Sequence, residues 1–142
     1  MPELPEVQTI AADLNEVVGG AVIEAAAVGC PNIVAGDPAA LARLVTGRAI
    51  RSVERMGKWV RFNLEGPQGA AALLAHLKMT GQFHLGSWPG KSWEKHDHAA
   101  FRLRGRPAGA DTLFYRDIRK FGRLRAFELP ELEEFLAQLN QG

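Results

Sequence analysis

MPELPEV, residues 1–7, opens the chain and combines a helix start with an amine and two carboxylates. Removal of the initiator Met, which is usual before a small residue, would leave Pro2 with a free secondary amine. An α-amino group has a pKa near ~8, so a usable fraction is neutral at pH 7, as an amine nucleophile requires. Glu3 and Glu6 are three positions apart and would share one side of the first helical turn. The stretch predicts an amine nucleophile beside paired acids, and an ordinary helix start is the alternative.

The pattern after this stretch predicts three helices. A first helix is predicted over residues 5–18, because apolar residues recur there at helical spacing: Val7, Ile10, Leu14 and Val17. Asp37-Pro38 is typical of a helix N-cap followed by Pro at the first position, and this second helix ends at Gly47. A last helix is predicted over residues 130–140, with an apolar stripe of Leu132, Phe135, Leu136 and Leu139.

Short strands with frequent turns are predicted between these helices. Residues 21–28 form one strand, and alternation from Arg48 onward indicates several more, with these apolar positions: Val60, Phe62 and Leu64, then Leu73, Ala75 and Leu77, then Phe101 and Leu103. Gly and Pro interrupt them at short intervals. The predicted fold is a two-layer antiparallel β-sandwich with flanking helices, built as a single domain over residues 1–142.

Composition limits the class of protein. The 142 residues are 46% hydrophobic and 23% charged, which is typical of a globular domain with one core. The chain has no apolar run of ~18 residues and no signal peptide, so we expect a cytoplasmic or nucleoid setting without a membrane partner. Cys30 is the single cysteine, which excludes an intramolecular disulfide and a Cys-rich zinc site.

The net charge of +1 hides an uneven distribution. Residues 48–125 hold 16 Lys and Arg against six acids, a local net charge of +10, whereas acids predominate on both sides. A basic middle flanked by acidic ends predicts a surface that binds a polyanion, and solvated strand faces are the alternative.

Three segments in this basic region carry candidate contacts. In RMGKWV, residues 55–60, a Gly turn would push Lys58 outward, where an ammonium suits a phosphate. In HLKMTG, residues 76–81, His76 and Lys78 are predicted to share one strand face, and Met79 precedes a Gly turn. In DIRKFG, residues 117–122, a guanidinium can pair with a base edge and an aromatic ring can stack on bases.

With PELPEV, these segments closely resemble, in order, motifs of the formamidopyrimidine-DNA glycosylases, base-excision repair enzymes grouped with endonuclease VIII. The resemblance implies removal of an oxidised purine through a Schiff base on Pro2, followed by cleavage of both sides of the abasic site. By this resemblance Glu3 is the general acid, Glu6 positions the nucleotide or a water, and Lys58 lies in the active site. An endonuclease VIII-like preference for oxidised pyrimidines is the alternative within the family.

The resemblance also implies how the chain meets damaged double-stranded DNA. Met79 would fill the space left by an everted nucleotide, Arg119 would face the orphaned base, and Phe121 would wedge beside it. Lys120 keeps the positive charge of the Arg found at its position in the family. His76 and Lys78 would donate to phosphates. Core packing is the alternative for Met79.

The resemblance covers the family's N-terminal domain. We therefore expect the chain to lack the family's helix–two-turns–helix and zinc-finger domains, to hold no cofactor, and to be a monomer. His96-Asp97-His98 provides too few ligands for a metal and is expected to be structural. With Met1 retained, the Pro2 nitrogen is an amide, so we expect such protein to be inactive. A non-catalytic domain that binds DNA or a protein partner is the competing class.

Overall fold

A computed structural model describes residues 4–89, 93–107 and 109–141. Three helices and eight strands follow one another: α1 (Leu4–Val18), β1 (Ile23–Val28), α2 (Pro38–Val45), β2 (Ala49–Met56), β3 (Trp59–Gly66), β4 (Gly69–His76), β5 (Gly81–Gly86), β6 (Asp97–Leu103), β7 (Thr112–Asp117), β8 (Arg123–Glu128) and α3 (Leu129–Gln141). The strands form two antiparallel sheets of four, in the orders β2-β3-β4-β8 and β1-β6-β7-β5. The predicted β-sandwich with an N-terminal helix is confirmed.

The core lies between the two sheets, where the inward residues of each strand are apolar. Phe62 from the first sheet contacts Phe83 from the second, with ring centroids 5.4 Å apart. Phe83 in turn contacts Tyr115 at 5.5 Å. Tyr115 and Phe62 are almost completely buried, so this aromatic row joins the sheets through their centre.

Helix α1 packs against β2 and β3, and the order of two hydrogen bonds shows that it runs opposite to β2. Asn15 accepts a hydrogen bond from the Val53 amide at 2.8 Å, and the Arg55 guanidinium reaches Gln8 at 3.3 Å. The first turn of α1 therefore lies beside the end of β2. The predicted stripe was wrong at Val17, which is 41% exposed, because the buried face follows the spacing of Val7, Ala11, Leu14 and Val18.

Helix α2 closes the sandwich between β1 and β8. Its predicted N-cap is confirmed, since the Asp37 carboxylate accepts from the Ala39 amide at 3.1 Å.

Helix α3 covers the outer face of β4 and β8. Leu132 is 1% exposed and packs with Ala72 and Leu74, so β4 is buried on both faces instead of alternating as the sequence predicted. Phe135 stacks on Phe127 at 4.8 Å. Leu139, predicted to belong to the buried stripe, is 46% exposed near the end of the helix. No helix in the described ranges is long and apolar enough to cross a membrane.

Candidate nucleic-acid interface

Strand pairing brings the three motif segments to one end of the sandwich. Met56 pairs with Trp59 around the β2–β3 turn, and Trp59 pairs with His76 at the end of β4. In the second sheet Gly81 pairs with Asp117, which places the β4–β5 turn beside the β7–β8 loop. We call this end, formed by residues 57–58, 76–81 and 117–123, the motif end.

The first turn of α1 points toward the motif end, because α1 begins beside the end of β2. Glu6 is exposed in that turn. Pro2 and Glu3, predicted as nucleophile and general acid, lie outside the described residues. The fold thus places the start of α1 at the motif end, and Glu6 is the described member of the predicted acid pair.

Lys58 is exposed at the tip of the β2–β3 hairpin. Gly57 has a φ of +62°, a conformation that suits glycine at the first central position of a two-residue hairpin turn. A hollow of about 380 Å³ lies next to this tip, with its main lining formed by Met56, Lys58, Trp59, His76, Leu136 and Leu139. The turn geometry thus presents an ammonium beside a mostly apolar surface.

His76 is a neutral hydrogen-bonding group at the motif end. Burial, then the positive charges of Lys78 and Lys58, lower the pKa of His76 from its ordinary value of 6.5. The Lys78 amide donates to Nδ1 of His76 at 3.3 Å, which leaves the ring proton on Nε2. The ring lies edge-on to Trp59, with centroids 4.9 Å apart.

The prediction that His76 and Lys78 share a strand face was wrong. Strand β4 ends at His76, and Lys78 has a left-handed φ of 54° in the turn that follows. Both residues remain at the motif end, because the turn folds the Lys78 amide back onto the imidazole.

Met79, Arg119 and Phe121 meet although 40 residues separate the first two. The Arg119 guanidinium lies 3.5 Å from the Met79 sulfur and 5.8 Å from the centre of the Phe121 ring. Met79 and Phe121 are each 53% exposed. Two apolar side chains with a cation between them therefore project from the motif end, and Met79 is not core filler.

The basic side chains of residues 48–125 lie at both ends of the sandwich, in different surroundings. Arg48 is buried at the opposite end, and Arg51 forms an ion pair with Glu65 there. At the motif end Lys78, Arg119 and Lys120 are exposed, and no acidic side chain in the described ranges forms an ion pair with them. The run of +10 is thus not one surface, and the residues that suit a polyanion lie at the motif end.

Non-glycine residues with positive φ also concentrate here. In the described ranges they are Lys78 at 54°, His96 at 76° and Lys120 at 60°. Such conformations cost roughly 1–3 kcal/mol each and cluster at functional sites. Since the His96 carbonyl accepts from the Asp117 amide at 2.9 Å, all three lie at the same end.

The segment around His98 forms hydrogen bonds within the fold, which suits the structural role expected for it. Asp97 is buried and accepts from His84 Nε2–H at 2.8 Å. His98 Nε2–H donates to the Asp117 carbonyl at 2.8 Å, which ties β6 to the start of the β7–β8 loop. Among the described residues, no three His, Cys, Asp or Glu side chains are grouped to hold a metal ion.

Sequence reasoning missed Asp117, Tyr115 and Thr80 as site residues. The Asp117 carboxylate is fully buried and accepts from the Thr80 and Tyr115 hydroxyls. Burial alone raises the pKa of Asp117, but these bonds and the Gly122 and Lys120 amides outweigh it and hold the pKa below its ordinary value. The available signal was an Asp immediately before a loop, where its side chain can accept from amides that follow it.

Comparison with known proteins gives the same architecture. Residues 1–124 match the family described as the formamidopyrimidine-DNA glycosylase N-terminal domain. A formamidopyrimidine-DNA glycosylase of Oceanobacillus iheyensis is 37% identical over 144 aligned positions, which cover 99% of this chain and 48% of the relative. The chain therefore spans about half the length of such relatives.

Two solved structures of Lactococcus lactis Fpg superpose on the chain. One is bound to DNA containing an abasic site (28% identity, TM-score 0.81), and the other to DNA containing Fapy-dG (27% identity, TM-score 0.81). Each covers 96% of this chain and 48% of the solved chain. With these likenesses and the three motifs at one end of the sandwich, the chain belongs to the formamidopyrimidine-DNA glycosylase family and corresponds to its N-terminal domain.

Proposed function

We propose that this chain is the catalytic domain of a DNA glycosylase and abasic-site lyase that acts on oxidised purines. The observation that carries the proposal is the exposed cluster of Met79, Arg119 and Phe121 at the motif end. This cluster suits a duplex from which one nucleotide has been everted. The apolar side chains would pack against the unstacked neighbouring bases, and the guanidinium would pair with the orphaned base. Among the Lactococcus complexes, one holds DNA with Fapy-dG and another holds DNA with an oxidised pyrimidine. These neighbours support DNA with a damaged base as the substrate class, and the preference for the purine is part of the proposal.

In the proposed reaction the free amine of Pro2 attacks C1′ of the damaged nucleotide and displaces the base. Glu3 protonates the sugar oxygen, so that the ring opens and a Schiff base forms. Glu6 positions the nucleotide or a water from the first turn of α1. β-Elimination followed by δ-elimination then cuts both sides of the abasic site.

The phosphates flanking the everted nucleotide are proposed to bind Lys58, His76 and Lys78. Lys58 is exposed at a hairpin tip, where an ammonium suits a phosphate. The neutral His76 donates through Nε2–H. Lys120 adds a positive charge beside Arg119. The electrostatic attraction of the DNA and the insertion of the wedge would therefore act on the same stretch of duplex.

We also propose that the isolated chain excises no base. The described wedge and cations approach DNA from one end of the sandwich, and eversion needs a duplex held from both sides. If Met1 is retained, the Pro2 nitrogen is a planar amide whose lone pair is delocalised, and it cannot form a Schiff base. Protein with a free Pro2 is expected to retain slight lyase activity on abasic DNA, where no base needs to be flipped.

Intact mass followed by borohydride trapping tests the nucleophile. Protein with a free Pro2 should be trapped covalently on an abasic duplex, whereas protein that retains Met1 should not. Lys58→Ala is the matched control, because it removes the other candidate amine without changing the N-terminus. An adduct from Met1-retaining protein that disappears in Lys58→Ala would identify Lys58 as the nucleophile and contradict Pro2.

Gel-shift titration separates this proposal from a non-catalytic role. Preference for an abasic duplex over an intact one is expected, and Arg119→Ala should reduce that preference. Binding without trapping would support a DNA-binding domain without catalysis. Absence of binding to either duplex would favour a domain that contacts a protein partner. Stronger binding to a duplex with an oxidised pyrimidine than to one with an oxidised purine would favour the endonuclease VIII-like alternative.

A further inference from the structure

One buried carboxylate organises the loop that carries Arg119 and Phe121. Asp117 is 0% exposed. Its Oδ1 accepts from the amides of Lys120 at 3.1 Å and Arg119 at 3.2 Å, and its Oδ2 accepts from the Gly122 amide at 2.8 Å. The loop therefore turns around the carboxylate, with its amides inward and its side chains outward.

A hydroxyl joins this loop to the turn that carries Met79. Thr80 donates to Asp117 Oδ1 and accepts from the Arg119 amide at 3.1 Å. These bonds connect positions 37 and 39 residues apart. Among the described polar contacts, the side chains that link the Met79 turn to the Arg119–Phe121 loop do so through these two hydrogen bonds and the Arg119–Met79 contact.

Close packing around the buried Tyr115 side chain also restrains the Met79 turn and the Arg119–Phe121 loop. The Tyr115 hydroxyl donates to Asp117 Oδ2 at 2.8 Å. A Cβ added at Gly122 would lie 1.8 Å from this hydroxyl, and one added at Gly81 would lie 2.8 Å from it. Both segments thus need glycine where they pass Tyr115, and neither can shift independently without opening a gap beside this ring.

We propose that Thr80 and Asp117 are positioning residues that hold the Met79 turn and the Arg119–Phe121 loop together as one preformed wedge. The inference deepens the proposed function and rests on it for the role of the wedge. Met79 and Phe121 are half exposed, so core packing does not order them. Because binding then need not order two separate loops, the preformed junction increases the affinity for a duplex with a gap in its stack.

A pair of substitutions at Thr80 tests this role. Thr80→Val keeps the shape of the side chain and removes the hydroxyl, whereas Thr80→Ser keeps the hydroxyl. Thr80→Val should reduce the preference for abasic over intact duplex by about tenfold, as expected for losing a hydrogen bond to a charged group. Its salt dependence should not change, because the cations that meet phosphates remain. Thr80→Ser should keep the wild-type preference.

Leu132→Ala is the control for a purely structural role. Leu132 packs with Ala72 and Leu74 between α3 and β4, and it makes no part of the Thr80–Asp117 network. The substitution should lower the unfolding midpoint and leave the abasic preference unchanged. A loss of preference in Leu132→Ala equal to that in Thr80→Val would show that the preference follows stability alone, and would overturn the proposal.

A measurement without DNA separates this inference from the proposed function. In the wild-type 142-residue chain, NMR should show proximity of the Arg119 side chain to both Met79 and the Phe121 ring, and slow exchange of the Arg119 amide. Thr80→Val should lose both, and Thr80→Ser should retain them. If wild-type protein does not distinguish abasic from intact duplex, the proposed function fails, whereas unchanged spectra in Thr80→Val refute the positioning role.

Discussion

Replacing Asp117 by Asn should destabilise the protein strongly, although the two side chains have nearly the same shape. Two of the donors around the carboxylate are buried: the Tyr115 hydroxyl and the Gly122 amide, both at 2.8 Å. An unpaired buried donor costs about 1–3 kcal/mol. An Asn side chain keeps one accepting oxygen and presents an NH2 group on the other side, so not all donors can be satisfied.

The expected loss in the free energy of unfolding at pH 7 is therefore about 2–4 kcal/mol. This is a large part of the roughly 5–15 kcal/mol typical of a domain. Urea unfolding followed by far-UV circular dichroism measures the change. The matched control is Glu65→Gln, which removes an exposed carboxylate paired with Arg51 at the opposite end and should cost less than ~1 kcal/mol.

The same substitution should change how stability depends on pH. Burial raises the pKa of Asp117, but hydrogen bonds from Thr80, Tyr115 and nearby amides outweigh burial and hold the pKa below 3.8 in the folded state. A folded-state pKa below the unfolded value adds stability that is complete above about pH 4 and is lost as the pH falls through the folded-state pKa. The difference in the free energy of unfolding between wild type and Asp117→Asn should therefore become smaller as the pH falls. Equal stability of the two proteins at pH 7, or a difference that does not change with pH, would refute this account of the carboxylate.

Three further outcomes test other parts of the structure. Lys58→Ala should weaken binding to an abasic duplex and reduce the slope of log affinity against log salt by about 1, whereas Arg51→Ala should change neither; equal effects from both would contradict a localised DNA face. NMR titration should give His76 a pKa below 6.5 that rises in Lys78→Ala but not in Lys78→Arg. The neutral ring contributes stability above pH 6.5 that is lost as the pH falls through the folded-state pKa. Leu132→Ala should cost about 2–5 kcal/mol in urea unfolding, because it empties the contact between α3 and β4, and a smaller cost would show that α3 packs loosely.

The sequence was sufficient for the sandwich where each strand has one face in the core. Val60 and Phe62 are buried and alternate with the less buried Arg61 and Asn63, as expected for a strand with one face in the core. The same reasoning failed on β4, where α3 covers Leu74 from outside. Alternation of apolar and polar residues predicts burial of one face of a strand. Tertiary packing decides whether a helix covers the other face as well.

The sequence likewise predicted some residues of the candidate site and not others. Lys58, Met79 and Arg119 were predicted because they stand in segments that resemble the family's motifs, whereas the residue type alone favoured core packing for Met79. Thr80 and Asp117 were not, since their importance lies in a contact across 37 residues that only the sheet register creates. Met79 and Arg119 contact one another only because Gly81 pairs with Asp117. A one-residue slip in that register would turn the side chains of one segment to the opposite face. The wedge is thus a property of strand pairing, and the Thr80–Asp117 hydrogen bond keeps the exposed side chains aligned with it.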